Sequence, residues 1–92
     1  MLTVAAFYQF TPFADPERLR PGLRAVAEKN AVRGTILVAP EGINGTIAGT
    51  RAGVLGVLKY IRTLPGCGSL EWKESTAPEQ PFRRLKVRLK RE

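Results

Sequence analysis

Histidine is absent and cysteine occurs once, at Cys67, so the chain can form no internal disulfide and offers none of the Cys/His spacings that hold zinc. With no imidazole to activate it, the one thiol has no ordinary general base either. No apolar run approaches the roughly eighteen residues that a bilayer requires, and no basic stretch precedes an apolar segment at the N-terminus. Disulfide scaffolds, zinc modules, secreted proteins and spanning helices are thereby set aside, and a reducing cytoplasm is the expected compartment. Neither G-x-G-x-x-G nor a lysine-bearing phosphate loop occurs. At 92 residues the chain reads as one domain, near the lower end of what builds a core without staples.

What is present in excess is positive charge. The net charge is +7, and it is local. Residues 1–50 carry five basic and four acidic groups, net +1, whereas residues 51–92 carry ten and four, net +6, with six of the basic groups between Arg83 and Arg91. Such asymmetry points to a polyanion partner or to a solubility device.

The stretch Thr35 to Thr50, TILVAPEGINGTIAGT, organises the rest. Ile36, Leu37 and Val38 suit a buried pleated surface, and Pro40, Gly42, Asn44 and Gly45 suit a bend, so the spacing predicts a hairpin with its tip between Pro40 and Gly45. Pro40 closes the first strand and the second is expected from about Gly45 to Ala48. Asn44-Gly45 fits a two-residue type I′ turn, while Pro40 and Gly42 favour a longer loop.

Leu2 to Phe10 reads as a central strand whose two faces, Leu2, Val4, Ala6, Tyr8 and Phe10 against Thr3, Ala5, Phe7 and Gln9, are both largely apolar. Asp15-Pro16-Glu17 predicts a helix start, and Leu19, Leu23, Val26 and Ala27 its buried stripe, ending near Asn30. Pro21 either kinks this helix or begins its regular part. Thr50 caps a second helix over Arg51 to Leu64, in which Gly53 and Gly56 are read as permitting close packing on the sheet. Leu70 to Ser75 is a short strand, Thr76 to Pro81 a loop, and Phe82 to Arg91 a regularly alternating final strand. The order β-α-β-β-α-β with an additional C-terminal strand predicts an α+β two-layer sandwich, acylphosphatase-like or ferredoxin-like.

Three features can carry chemistry. Along PFRRLKVRLKRE, Leu85, Val87 and Leu89 point one way and Arg84, Lys86, Arg88 and Lys90 the other, about 6 to 7 Å apart; with Arg83, these are the candidate RNA-binding residues, by contact with phosphates. The competing reading is a charged edge that discourages strand pairing between molecules. The hairpin tip, with Glu41, Gly42, Asn44 and Gly45, offers backbone amides and two polar side chains, but Glu41 would repel a phosphate, and Asn44 can simply bond to its own turn. Cys67, between glycines after a helix C-terminus, is read as an ordinary loop residue with a raised thiol pKa. Lys73 and Glu74, being adjacent in a strand, lie on opposite faces.

Together APEGINGT (Ala39 to Thr46), Lys73-Glu74-Ser75 and PFRRLKVRLKRE (Pro81 to Glu92) resemble the N-terminal domain of the rhodanese-containing bacterial tRNA uridine hydroxylases, and the likeness spans essentially the whole chain. The resemblance implies an acylphosphatase-like domain ahead of a rhodanese domain, in a protein that forms 5-hydroxyuridine at the tRNA wobble position with molecular oxygen. It implies tRNA and the rhodanese domain as partners, with no membrane, metal or cofactor in this domain. The family's reactive cysteine belongs to the rhodanese domain, so Cys67 is not its counterpart and no catalytic residue carries over. The chain is accordingly expected to be one domain of a longer polypeptide, inactive alone. Two alternatives remain. One is a docking module, its motive being the apolar surface that Ala5 and Phe7 would leave if Val4, Ala6 and Tyr8 faced the helices. The other is a free-standing acylphosphatase, for which Phe10 to Ala14 supplies neither the glycines nor the arginine of a phosphate loop.

Overall fold

The computed structural model describes residues 1–90. Strand β1 (Leu2–Phe10) leads through a 3-10 turn at Pro16–Leu19 into α1 (Arg20–Lys29); β2 (Arg33–Ala39) and β3 (Gly42–Gly49) form the hairpin; α2 (Arg51–Arg62), β4 (Trp72–Ala77) and β5 (Leu85–Leu89) complete the chain. The five-stranded sheet has the order β4-β1-β3-β2-β5. Every pairing is antiparallel except that of β5 with β2. The helices cover one face and leave the other open, as the predicted α+β sandwich requires.

Packing against the helices decides the ambiguous face of β1. Thr3, Ala5 and Phe7 are buried, whereas Ala6, Tyr8 and Phe10 are exposed. The apolar surface expected from Ala5 and Phe7 on the open side is therefore corrected: both lie in the core with Ile36, Ile47, Val57 and Leu58. Each fully buried Val, Leu or Ile contributes about 1.5 to 3 kcal/mol relative to an exposed one.

The hairpin is tighter than expected. Ala39 pairs with Gly42 and Leu37 with Asn44, so the connection is the two residues Pro40-Glu41, and β3 begins at Gly42 rather than Gly45. Asn44 and Gly45 lie inside the strand, and neither the type I′ turn nor the longer loop forms. Gly45 is needed for packing, not for turning: a Cβ there would lie 2.9 Å from the Phe7 ring, its neighbour across the ladder. Pro40 and Glu41 offer their carbonyls to the amides of Phe13 and Thr11, at 2.9 and 3.0 Å, and these bonds pin the tip to the β1–α1 loop.

The helices differ in their starts. Asp15 gives no side-chain cap, and Pro21 falls in the first turn of α1, so the regular helix begins there without a kink. Thr50 caps α2 through Oγ1, which accepts from the Gly53 amide at 3.0 Å. Gly53 and Gly56 let α2 approach the end of α1 at Asn30 rather than the sheet: a Cβ on either would meet Asn30 atoms at 2.6 and 2.9 Å. No helix among the described residues is long and apolar enough to cross a membrane.

The last two strands are also displaced from expectation. β4 runs to Ala77, which shortens the predicted loop, and β5 starts at Leu85, leaving Phe82, Arg83 and Arg84 in the connection. Arg91, the expected last residue of that strand, lies outside the described residues. Because β4 and β5 are opposite edges, the segment joining them must cross the sheet, and Gln80 fixes that crossing by donating to the Ala48 carbonyl at 3.1 Å.

Candidate functional site

The open face is built from two cross-strand rows, since residues directly opposite in a ladder share a face. One row runs Tyr8, Asn44, Leu37, Arg88; the next runs Lys73, Ala6, Thr46, Thr35, Lys86. The hairpin motif and the basic strand, read separately in the sequence, thus meet on one surface. Asn44 stands exposed between Tyr8 and Leu37, which removes the reading in which it merely bonds to its own turn. Glu41 is exposed at the tip, and Gly42 and Gly45 serve the backbone beneath.

Between these rows lies an open concavity of ≈ 960 Å³, lined among others by Ala6, Tyr8, Leu37, Thr46, Lys73, Phe82 and Glu71. A smaller hollow of ≈ 180 Å³ at the tip joins Tyr8, Phe10, Glu41, Asn44 and Lys90. Tyr8 and Phe10 are 68% and 75% exposed, and their rings meet edge to face at 5.6 Å and 67°. No function follows for this pair from the sequence alone; the available signal is two aromatics at i and i+2 on one face of β1.

The cationic stripe is real but shorter than its sequence suggested. Lys86 and Arg88 stand on the open face opposite Thr35 and Leu37. Lys90 follows the strand, its amide donating to the Val38 carbonyl at 2.7 Å, while Arg83 and Arg84 lie ahead of it and the Arg84 carbonyl accepts from Gly34 at 3.2 Å. Among the described residues the three ion pairs are Arg20–Glu17, Arg24–Glu28 and Arg51–Glu74. Their basic members all come from the helix layer or its approach, so Lys73, Lys86, Arg88 and Lys90 keep their charge available.

Trp72 and Glu74 belong to the other face. Trp72 is opposite Phe7 and carries the Arg62 guanidinium 4.8 Å above its ring; Glu74 is opposite Ala5 and bonds to Arg51. Hydrogen bonds from Trp72 and Arg51 hold the Glu74 carboxyl below the usual carboxylate range. Lys73 and Glu74 therefore do lie on opposite faces. Cys67 is a core residue, not merely a loop residue, and burial rather than a helix end pushes its thiol up. No group of three or more His, Cys, Asp or Glu side chains placed to hold a metal occurs among the described residues.

An anion cradle after β1 is disfavoured by the same bonds that hold the tip. The amides of Thr11 and Phe13 are already committed to Glu41 and Pro40, and Phe13 is buried. A phosphate loop needs such amides free.

A family model described as the UPF0176 acylphosphatase like domain matches residues 2–92. Proteins named tRNA uridine(34) hydroxylase from Jannaschia sp. and Ruegeria pomeroyi are 64% and 58% identical to this chain over its whole length; that from Gluconobacter oxydans is 56% identical over 99% of it. The chain spans 31%, 31% and 29% of those relatives. Among solved structures, the dark state of the BLUF protein BlrB superposes with a TM-score of 0.79 at 16% identity, covering 96% of this chain and 70% of that one. An acylphosphatase from Coxiella burnetii gives 0.63 at 12% identity, covering 97% and 90%. At those identities the structural likeness speaks to fold alone.

Proposed function

The chain belongs to the family of UPF0176 acylphosphatase-like domains, and from that membership we propose that it is the N-terminal domain of a tRNA uridine hydroxylase. In this role it holds tRNA by the cationic edge of its open face, while a rhodanese domain further along the polypeptide performs the chemistry. The names and partial coverage of its relatives support the first part. The observation that carries the second is the division of charge: on the helix layer Arg20, Arg24 and Arg51 are paired with acids and Arg62 is held by the Leu70 carbonyl and the Trp72 ring, whereas the open face presents Lys73, Lys86, Arg88 and Lys90 without ion pairs among the described residues. Phosphate contacts fix the position of a nucleic acid without reading it, and a modifying site elsewhere can then reach its base. The domain itself supplies no catalytic group and holds no cofactor.

The test is tRNA binding by the full-length protein across a salt series. Replacing Lys86 and Arg88 together by Gln lowers affinity and reduces the slope of log K against log salt by about 1 to 2. Lys29→Gln with Lys59→Gln, two exposed positions on the helix layer, is the control. Equal losses from both pairs would mean that only net charge matters, and no loss from the first would leave the stripe as protection of an edge.

A further inference from the structure

We propose that the open face seats an unpaired RNA base on the ring of Tyr8, with Asn44 bonding to the base edge and Arg88 neutralising a phosphate further along the same strand. The inference rests on the tRNA-holding function above and adds a base contact to its phosphate contacts.

A stacking platform must be exposed, flat and held. Tyr8 is 68% exposed, yet its backbone is held by pairing with Asn44 in β3, and the residue before it, Phe7, is the last that pairs with β4. Phe10 abuts it edge to face, which limits the swing of the ring. Two large aromatic side chains exposed side by side on a sheet face call for an occupant, and the surroundings select its chemistry. An apolar protein surface is a poor match, because the same row carries Asn44 and Arg88 and the next carries Lys73 and Lys86.

A single RNA strand satisfies each of these groups. Its base offers a π-face to Tyr8, its edge pairs donors and acceptors with an amide that has both, and its phosphates match the cations. Asn44 is the direct cross-strand neighbour of Tyr8. Arg88 lies three strands from Tyr8 in the order β1-β3-β2-β5, about 14 Å at the usual strand spacing, a distance that a short extended run of nucleotides spans. The concavity that Tyr8, Asn44 and Leu37 line is open to solvent, which suits a segment of polymer better than an enclosed small molecule.

The experiment compares a short single-stranded RNA with a duplex of the same length, binding to the full-length protein. Tyr8→Ala weakens single-strand binding about tenfold and leaves duplex binding and the salt slope unchanged, whereas Tyr8→Trp retains affinity and its emission is quenched on binding. Asn44→Ala reduces the difference among bases. Thermal unfolding of each variant confirms that the domain is intact. If Tyr8→Ala leaves both RNAs bound as before while Lys86→Gln with Arg88→Gln weakens them, the base contact is wrong and the phosphate function stands. If neither set matters, both fail. A Tyr8→Ala protein that unfolds more readily, binds both RNAs equally and shows no quenching in its Tyr8→Trp counterpart would assign this face to another domain of the polypeptide, and would overturn the inference.

Discussion

The Nε–H of Arg20 donates to the main-chain oxygen of Val87 at 3.1 Å, joining α1 to the outermost strand across 67 residues of sequence. Arg24, one helical turn on, reaches the Leu85 oxygen with Nη2 at 3.5 Å. The i, i+4 step on a helix and the i, i+2 step on a strand are nearly equal in length, so two arginines of α1 meet two successive carbonyls of β5. Because Arg84 and Lys90 direct their main-chain groups at β2, the odd-numbered residues of β5 direct theirs outward, and the helix thus covers carbonyls at an exposed sheet edge. Two carbonyls of that edge, those of Leu85 and Val87, are thereby covered by side chains that do not belong to the stripe.

It follows that Arg20→Gln, though a surface substitution, lowers stability by about 1 kcal/mol, the scale of a lost hydrogen bond from a charged donor to an edge carbonyl. Denaturant titration measures this, and hydrogen exchange locates it as faster exchange at Lys86 and Arg88 in β5. Unchanged exchange in β5 would refute the edge-holding role. The same contacts make Arg20 and Arg24 unsuitable as neutral charge controls.

A second expectation concerns Ala31. Its φ of 54° is left-handed, the amides of Ala31 and Val32 donate back to Glu28 and Ala27 at 3.1 and 2.9 Å, and Asn30 is the C-cap. This is the paired-bond helix ending in which glycine is the usual occupant of the left-handed position. Relieving the Cβ contact outweighs the extra freedom of the unfolded chain, so Ala31→Gly stabilises by about 1 kcal/mol, or about 4 to 8 °C in Tm for a domain of this size.

Local pattern made most elements legible in the sequence, and distant contacts account for what it hid. Thr50 and the stripes of both helices follow from local chemistry. Which face of β1 turns inward does not, because both faces are apolar and only the helices decide between them. Gly45 looked like a turn residue because its need, room for Phe7 on the neighbouring strand, is invisible along the chain. Likewise the alternation of β5 was plain while its parallel pairing with β2 was not, and without that pairing Asn44 and Arg88 could not be placed in one row.

Cys67 gives a pH-dependent expectation. Burial raises its pKa, so the folded state favours the neutral thiol. That contribution is complete below the thiol's unfolded value, about 8.5, and is lost as pH rises through the folded value. Stability therefore falls on the alkaline side, and Cys67→Ala flattens the fall while lowering stability at neutral pH through the cavity it leaves. An alkylating reagent should modify the native thiol at a rate set by opening of the fold; rapid labelling without opening would show that the sulfur is accessible.

The hairpin motif separates into residues that build the surface and residues that act on it, and substitution distinguishes the two. Gly42 has φ of 152°, where an L side chain is strained, and a Cβ there would also run into the Gln9 carbonyl. Gly45→Ala would press on Phe7 at 2.9 Å and on the Ile36 Cα at 3.1 Å. Each glycine replaced by alanine should cost about 2 kcal/mol or more, since neither the ladder nor the buried ring can move freely. Asn44→Ala and Glu41→Gln, both at exposed side chains, should change stability by no more than about 0.5 kcal/mol. RNA affinity of the full-length protein then divides the motif a second time. Asn44→Ala weakens binding to a single strand because a donor and acceptor beside Tyr8 are gone, whereas Glu41→Gln leaves it unchanged or strengthens it by removing a negative charge near Lys90. A loss of affinity from Glu41→Gln equal to that from Asn44→Ala would instead mean that the tip contacts its partner through the carboxylate, a result that a phosphate backbone cannot explain.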